Sequence, residues 1–366
     1  MRTIITTVGT SLITNTKRSL QTPNDQTPGR EELLNFLTMT GPKKATAETN
    51  SLSRLLRDAD RLVLLHSATE EGLLCAELLG VFYSREGHAV EMKNVPDLTY
   101  DRKAFRNQGL RSFVSVLVDT INQERRQGRE VCINATGGFK AETAYAATIG
   151  QLYGAPVFYI YEAFDDIVEL PPAPITWDYG VILRYEPIIE WMEQELERGE
   201  WPSGRELDRR LEAHREQGGD PSDLKLKLLV IREEGVAYLS PMGQAIYRQY
   251  LEMARSAPQV PVFLSAVARK AYQAAEGEAR SEFDRLLRKL QIPELRYAGS
   301  EPMAGDCYVF PRDRRNERFV YYQEADGSLR VCEVFQRHED YEKLRERSVR
   351  QVQYTGFKHW TPGLQV

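Results

Sequence analysis

The sequence predicts an α/β protein: a mostly parallel sheet covered by helices on both faces, then a helical connector, then a small α+β module with an antiparallel sheet. Three observations carry this. Over the first half, short β-branched or aliphatic runs alternate with helix-length amphipathic segments, the pattern of a parallel sheet with crossover helices. Proline clusters at Pro171, Pro172 and Pro174, and again at 258–261, punctuate the chain. Near the C-terminus three short strands follow one another, DCYVFPRD, ERFVYYQE and SLRVCEVF, with Asp326-Gly327 as a hairpin turn between the last two. The expected divisions are residues 1–175, 176–260 and 261–366.

The first strand is Arg2–Val8 (RTIITTV), followed by the small-residue loop Gly9-Thr10-Ser11. Thr10 and Ser11 read either as ligand contacts or as a helix cap. Residues 14–28 are polar and turn-rich and read as a surface excursion; 30–37 and 51–57 read as short helices. Residues 61–65 (RLVLL) are the next buried strand, and a helix from about 70 to 83 follows His66, Ser67, Ala68 and Thr69. Thr69 or Ser67 caps that helix, with Glu70 and Glu71 in the first turn, where the dipole favours acid. His66 reads as a core histidine or a binding residue. Residues 88–95 are a third strand, 102–127 a helix interrupted near Gly109, and 131–133 and 156–161 (PVFYIY) the remaining strands.

The most informative stretch is VCINATGGFK, residues 131–140. A strand ends at Asn134, Ala135 and Thr136. Gly137 and Gly138 permit a tight turn and close approach, and a helix begins at Phe139. Strand, glycine loop and helix N-terminus together aim free backbone N–H groups at one point. Lys140 stands in the first turn, where the dipole disfavours a cation, which marks it as a ligand contact. The loops at 9–11, 67–69 and 134–140 should converge at the carboxyl edge of the sheet. The candidate binding residues are Gly9, Thr10, Ser11, Ser67, Thr69, Asn134, Thr136, Gly137, Gly138 and Lys140.

Together, TTVGTSL at the start and INATGGFK before an Ala-rich helix resemble the CARF domain, the Rossmann-like ligand sensor of type III CRISPR ancillary proteins. The resemblance covers roughly residues 1–175. It implies a homodimer that binds a cyclic oligoadenylate across its two-fold axis. An even-numbered ring suits that axis, with cyclic tetra-adenylate favoured and cyclic hexa-adenylate as the alternative.

Bulk composition narrows the class. With 366 residues, 42% hydrophobic and 28% charged, the chain can bury sizeable cores. No apolar run approaches the roughly 18–20 residues a membrane span needs, and no basic segment leads into an apolar core at the start. A cytoplasmic protein without membrane contact is expected. Cys75, Cys132, Cys307 and Cys332 lack CxxC spacing and read as reduced thiols, neither disulfides nor metal ligands. No resident metal or cofactor is expected. The net charge of −5 divides as −2, −5 and +2 over the three segments, placing any nucleic-acid contact in the last.

The connector reads as a strand at 179–185, helices at 186–198, 203–215 and 220–231, an extended segment at 236–239, and a helix opened by Ser240-Pro241, a cap and first-position pair. This order resembles the winged-helix connector of several CARF effectors. Its acidity argues for a structural or dimerising role over DNA binding. Arg209 and His214 reproduce the R-x4-H spacing of HEPN ribonucleases, an alternative reading.

The last segment reads as helices at 263–275 and 277–290, the three strands, and a final helix at 340–352. From Ala279 to Leu344 it resembles the RelE toxin superfamily, small microbial ribonucleases of toxin–antitoxin systems. Residues at one end of the sheet suit RNA cleavage by an internal 2′-hydroxyl. Arginine forks match phosphate oxygens, and His338 titrates near neutrality. By position Arg318 matches the phosphate-stabilising arginine of the family, Tyr341 its C-terminal tyrosine, and Arg337 its basic turn. Two family lysines fall at Val309 and Pro311, which leaves Arg312, Arg314 or His338 for the base. The implied activity is metal-independent cleavage of mRNA on the ribosome, switched on by the cyclic nucleotide. Rival readings are the HEPN ribonuclease, a CARF–winged-helix transcriptional regulator without nuclease activity, and a ring nuclease that cleaves its own activator through Thr10, Ser11 or Lys140.

Overall fold

The computed structural model describes residues 1–23, 26–102, 105–160, 166–216, 224–256, 260–312, 316–345 and 348–361. The chain separates into two compact units, Met1–Trp177 and Asp178–Val366.

The first unit is built on a six-stranded sheet in the order β3-β2-β1-β4-β5-β6. Its strands are β1 (Arg2–Val8), β2 (Arg61–Ser67), β3 (Ala89–Val95), β4 (Glu130–Asn134), β5 (Val157–Tyr159) and β6 (Val168–Glu169). All pairs are parallel except β5–β6. β1 and β2 are buried along almost their whole length, as their apolar runs require, whereas β3 alternates towards solvent. Tyr161 of the expected last strand lies outside the described residues.

One face of this sheet is covered by α1 (Ser11–Leu20), α2 (Arg30–Thr40), α3 (Pro42–Ala45), α4 (Ala47–Leu55) and α5 (Glu70–Arg85). Ile4, Val8, Leu62 and Leu64 meet Leu12, Leu33, Leu52 and Leu79 there. α6 (Leu110–Arg126) and α7 (Lys140–Tyr153) cover the opposite face, where Glu124 accepts from Thr3 Oγ1 and Gly150 lies against Ile133 and Val157. Here the first correction arises: α1 occupies much of the stretch read as a surface excursion. Its polar face hid a narrow stripe of Leu12, Ile13 and Thr16, which is buried. The break expected near Gly109 is a single π turn, Phe105–Gly109, entering α6. A Cβ at Gly109 would sit 2.6 Å from the Asp97 carbonyl oxygen, so close backbone approach requires glycine there.

In the second unit, residues 179–185 are not a strand. They open α8 (Tyr179–Glu197), a helix of 19 residues that also contains Pro187. A heptapeptide whose only charge is Arg184 cannot signal its period, and burial on several sides favours either element. α9 (Gly204–Glu216) and α10 (Leu224–Lys227) follow, then a hairpin of β7 (Val230–Glu233) and β8 (Val236–Leu239), then α11 (Pro241–Ser256). Of the helix expected over 220–231, residues 220–223 lie outside the described residues, α10 covers 224–227, and the end pairs instead as β7. Glu234 and Gly235 both adopt positive φ, 50° and 84°, as a two-residue hairpin turn demands. Ser240 Oγ accepts from Gly243 N–H at 3.0 Å, confirming the cap before Pro241.

The remaining sheet has the order β10-β11-β12-β13-β9-β14. It comprises β9 (Val262–Leu264), β10 (Glu301–Pro302), β11 (Tyr308–Phe310), β12 (Arg318–Gln323), β13 (Leu329–Phe335) and β14 (Lys358–His359). Six strands replace the three expected, and β9 runs parallel to β13. β9 was hidden in the segment read as a helix from 263. That helix, α12 (Ala266–Ala274), begins after Ser265, whose Oγ caps Ala268 N–H at 2.9 Å and donates to the Cys332 carbonyl at 2.6 Å. α13 (Gly277–Leu290) packs Phe283 on Phe319, centroids 5.6 Å apart; α14 (Pro293–Gly299) follows. The last helix, α15 (His338–Arg345), is shorter than expected, and Gln351–Gln353 form a separate 3-10 turn.

Candidate functional site

β1 has β2 on one side and β4 on the other, so the chain's crossovers diverge between β1 and β4, the switch point where open parallel sheets bind ligands. Register pairs Val8 with His66 and Thr6 with Asn134, which puts the three expected loops side by side. Gly9 and Gly138 touch so closely that a Cβ on Gly9 would lie 2.9 Å from Gly138 N. Thr7 Oγ1 donates to the Gly137 carbonyl at 2.6 Å and ties the loops together. Gly138 has φ 87°, the left-handed region.

The individual side chains divide into frame and face. Thr69 Oγ1 accepts from Gly72 N–H at 3.0 Å, and Ser67 Oγ lies 2.9 Å from Thr69 Oγ1, so this pair caps α5. His66 is buried, with Nδ1 2.9 Å from the Ser67 carbonyl oxygen. Asn134 is wholly buried; its Oδ1 accepts from Thr136 Oγ1 at 2.8 Å, while its Nδ2 has no hydrogen-bond partner among the described residues. Thr10 Oγ1 and Lys140 face outward.

Four residues of this sheet end escaped the sequence reading. Tyr100 is 63% exposed and stands 3.5 Å from Thr10 Oγ1 through its hydroxyl. Its ring lies 5.5 Å from Phe139, which in turn lies 5.0 Å from Phe105, forming an aromatic edge beside the glycine loops. Nothing periodic marks Tyr100 in the sequence. Glu142 is buried, accepts from Phe139 N–H at 2.5 Å, and has its carboxyl pushed up to about 7 by burial, which the Phe139 N–H opposes and Glu48 reinforces. Its place three residues after the cap is a capping-box signal. Glu48, on α4, accepts from Gly9 N–H at 2.7 Å and from Ser11 Oγ at 3.0 Å.

In the second unit, Arg318, His338 and Tyr341 come together. The Arg318 guanidinium lies 4.5 Å over the Tyr341 ring, and both residues are 3% exposed. The His338 ring is 6.1 Å from Tyr341, and its Nε2 is 3.4 Å from Glu342 Oε1. Burial pushes the Tyr341 phenol up, against the pull of Arg345 and Arg318, so it keeps its proton at neutral pH. Arg337 and Arg345 are exposed at this corner. Arg312 is placed elsewhere: its guanidinium lies beside Gly180 and helps hold the Asp178 carboxyl down. Arg314 lies outside the described residues. On α9, Arg209 pairs with Glu206 in solvent at 2.7 Å, while the His214 ring packs 5.0 Å from Tyr185. Five residues along a helix put the two about 140° apart.

The four cysteines are buried and free. Burial raises the Cys75 and Cys132 thiols to about 12. Among the described residues no three His, Cys, Asp or Glu side chains are grouped to hold a metal ion, and no helix is long and apolar enough to cross a membrane.

The family model for a CRISPR-associated protein (Cas_APE2256) matches residues 43–173, within the first unit. Solved structures give only distant likenesses. Protein VC1899 from Vibrio cholerae is 9% identical, with 91% of this chain and 76% of that one covered, at a TM-score of 0.30. Can2 from Sulfobacillus thermosulfidooxidans, in complex with cyclic tetra-adenylate, is 12% identical over 92% and 77%, at 0.26. Enterococcus italicus Csm6, bound to cyclic hexa-2'-fluoro-hexa-dAMP, is 12% identical over 81% and 86%, at 0.30. Such scores do not establish a shared fold.

Proposed function

We propose that residues 1–175 form a CARF-type sensor for a cyclic oligoadenylate, and that residues 261–366, within the second unit, are a RelE-like ribonuclease which the ligand activates. The observation that carries this reading is the meeting of the loops after β1 and β4 at the β1/β4 switch point, the second of them in a stretch that the CRISPR-associated family model matches. The outward groups there suit a cyclic oligonucleotide: Lys140 for phosphate, Thr10 for a hydroxyl, and Tyr100 and Phe139 for adenine faces. Cyclic tetra-adenylate is the favoured ring, bound by a cytoplasmic homodimer. The ligand activates by binding the active arrangement more tightly than the inactive one.

At the Arg318–Tyr341 corner, Arg337 and Arg345 present charge to the scissile phosphate. Tyr341 holds a proton for the leaving 5′-oxygen, and His338 is the candidate base. The substrate is mRNA, and the ribosome supplies the positioning that so few exposed cations cannot. Residues 176–260 connect the two activities.

The test adds cyclic tetra-adenylate or cyclic hexa-adenylate to the full chain and maps cleavage on programmed ribosomes, beside naked RNA with and without EDTA. Ligand-dependent cutting on the ribosome alone is expected. The surface variant Arg337→Ala should lose about 10²–10³-fold in rate, as removal of a charge-stabilising donor does, and Arg318→Ala should lose activity by removing the guanidinium that supports the Tyr341 ring. His214→Ala should cut normally. Loss of cutting in His214→Ala with Arg318→Ala active would favour the HEPN reading. Ligand-stimulated cutting of naked RNA that EDTA abolishes would sink the RelE mechanism.

A further inference from the structure

The sequence makes Gly9 and Ser11 candidate ligand contacts. In the structure they are already engaged. Gly9 N–H and Ser11 Oγ both donate to Glu48, a side chain only 1% exposed. We propose that Glu48 is the resident anion of this cradle and the positioning residue for the ligand-facing loops. The proposal rests on the switch point being the ligand site.

Glu48 arrives from a separate segment of the chain and is itself held firmly. Thr46 Oγ1 caps Thr49 N–H at 3.0 Å, Thr49 Oγ1 donates to the Pro42 carbonyl at 2.6 Å, and Ala47 N–H donates to Ser11 Oγ at 3.3 Å. On its far side the carboxylate abuts the glycine turn. A Cβ on Gly137 would lie 2.2 Å from Glu48 Oε1 and 2.6 Å from the Thr7 carbonyl oxygen. One side chain therefore sets the spacing of three segments, 9–11, 46–49 and 137–138. An anion is well placed there, because α1 begins at Ser11 and its N-terminal dipole end faces the carboxylate.

The arrangement has a consequence for recognition. A second anion entering the Gly9 and Gly137–Gly138 contact would meet Glu48, and Glu142 behind Phe139. Ligand phosphates are therefore directed to Lys140 and Thr10, and an uncharged face of the ring to the glycines.

The experiment uses the full chain with Glu48→Gln and Glu48→Ala. Amide hydrogen exchange is read over 9–12 and 136–140, and cyclic tetra-adenylate affinity is read by calorimetry, each with and without added formate. In Glu48→Ala, exchange in both segments should quicken and affinity should fall by about tenfold, the equivalent of one unsatisfied buried donor. Formate, a carboxylate small enough for the vacated space, should restore both and leave the wild type unchanged. Glu48→Gln keeps the shape and one acceptor and should fall between; it decides the matter alone should Glu48→Ala fail to fold. Wild-type exchange in a folded variant would overturn the proposal, and so would quickened exchange with undiminished affinity. If the wild type binds neither cyclic tetra- nor hexa-adenylate, the sensor reading fails by itself. Loop protection lost in the variants and restored by formate still supports the positioning role, and its absence still refutes it.

Discussion

Two buried carboxylates, Glu48 in the first unit and Glu186 in the second, are held in different ways. In the first, Glu48 is held by a backbone N–H and a hydroxyl near the start of a helix. In the second, Glu186 on α8 is held by full charges. Arg285 Nη1 lies 2.5 Å away, and Lys289 Nζ and the Tyr250 hydroxyl bond the same carboxylate. Burial pushes Glu186 up, yet Lys289 and Arg285 more than offset this and hold its carboxyl below the usual range. The three elements involved, α8, α11 and α13, line a cleft of about 740 Å³. Dipolar groups fix a carboxylate's geometry without adding a second ion, which suits a loop that must present a shaped edge to a ligand. Ion pairing makes a stronger mutual dependence, which suits helices brought together from distant parts of the chain.

That contrast breaks most visibly at Glu186. Glu186→Ala removes the carboxylate that Lys289, 6% exposed, and the half-buried Arg285 share, while Arg285 keeps its pairing with Glu282. It should cost about 3–5 kcal/mol in denaturant unfolding. A loss below about 1 kcal/mol would mean that water, not Glu186, satisfies these cations.

The next effect is on pH dependence. The Glu142 carboxyl titrates at about 7 in the folded protein, against 4.5 for its ordinary value. Between those values the folded chain holds a proton that the unfolded chain has released. Stability therefore falls as pH rises through this window and levels off above it. At most about 3 kcal/mol is involved. Glu142→Gln should remove that share of the slope. Parallel urea titrations of wild type and variant at pH 5 and pH 7.5 measure it, and identical slopes would refute the shift.

The smallest effect is the most local. Lys140 is exposed at the first position of α7, where a cation contributes little to the helix. Lys140→Ala should leave unfolding within about 0.5 kcal/mol of wild type. It should weaken cyclic tetra-adenylate by about tenfold or more, one charge-assisted phosphate contact. Unchanged affinity would remove Lys140 from the ligand site.

Much of the first unit was legible because its signals are local. Buried strands announce themselves as apolar runs, and the glycines at 137 and 138 mark a turn wherever they are found. The strand at 61–67, the helix capped by Thr69 and the break at Gly109 all follow from such signals. The mistaken elements share one cause, which is competition between near-equal local preferences settled by packing. YGVILRY became helix in α8, and Phe263 and Leu264 left their expected helix for β9 because β13 offered a partner.

The sequence by itself determined the alternation of strand and helix and the small-residue loops at strand ends. Only the tertiary structure decided that Glu48 fills the cradle, that Tyr100 stands beside Phe139, that Arg312 serves the start of α8, and that Arg318 lies beneath Tyr341. The physical reason is range. Backbone propensity and hydrophobic period act over a few residues, whereas a buried carboxylate or a stacked guanidinium is placed by chain segments tens of residues away, whose approach no local pattern encodes.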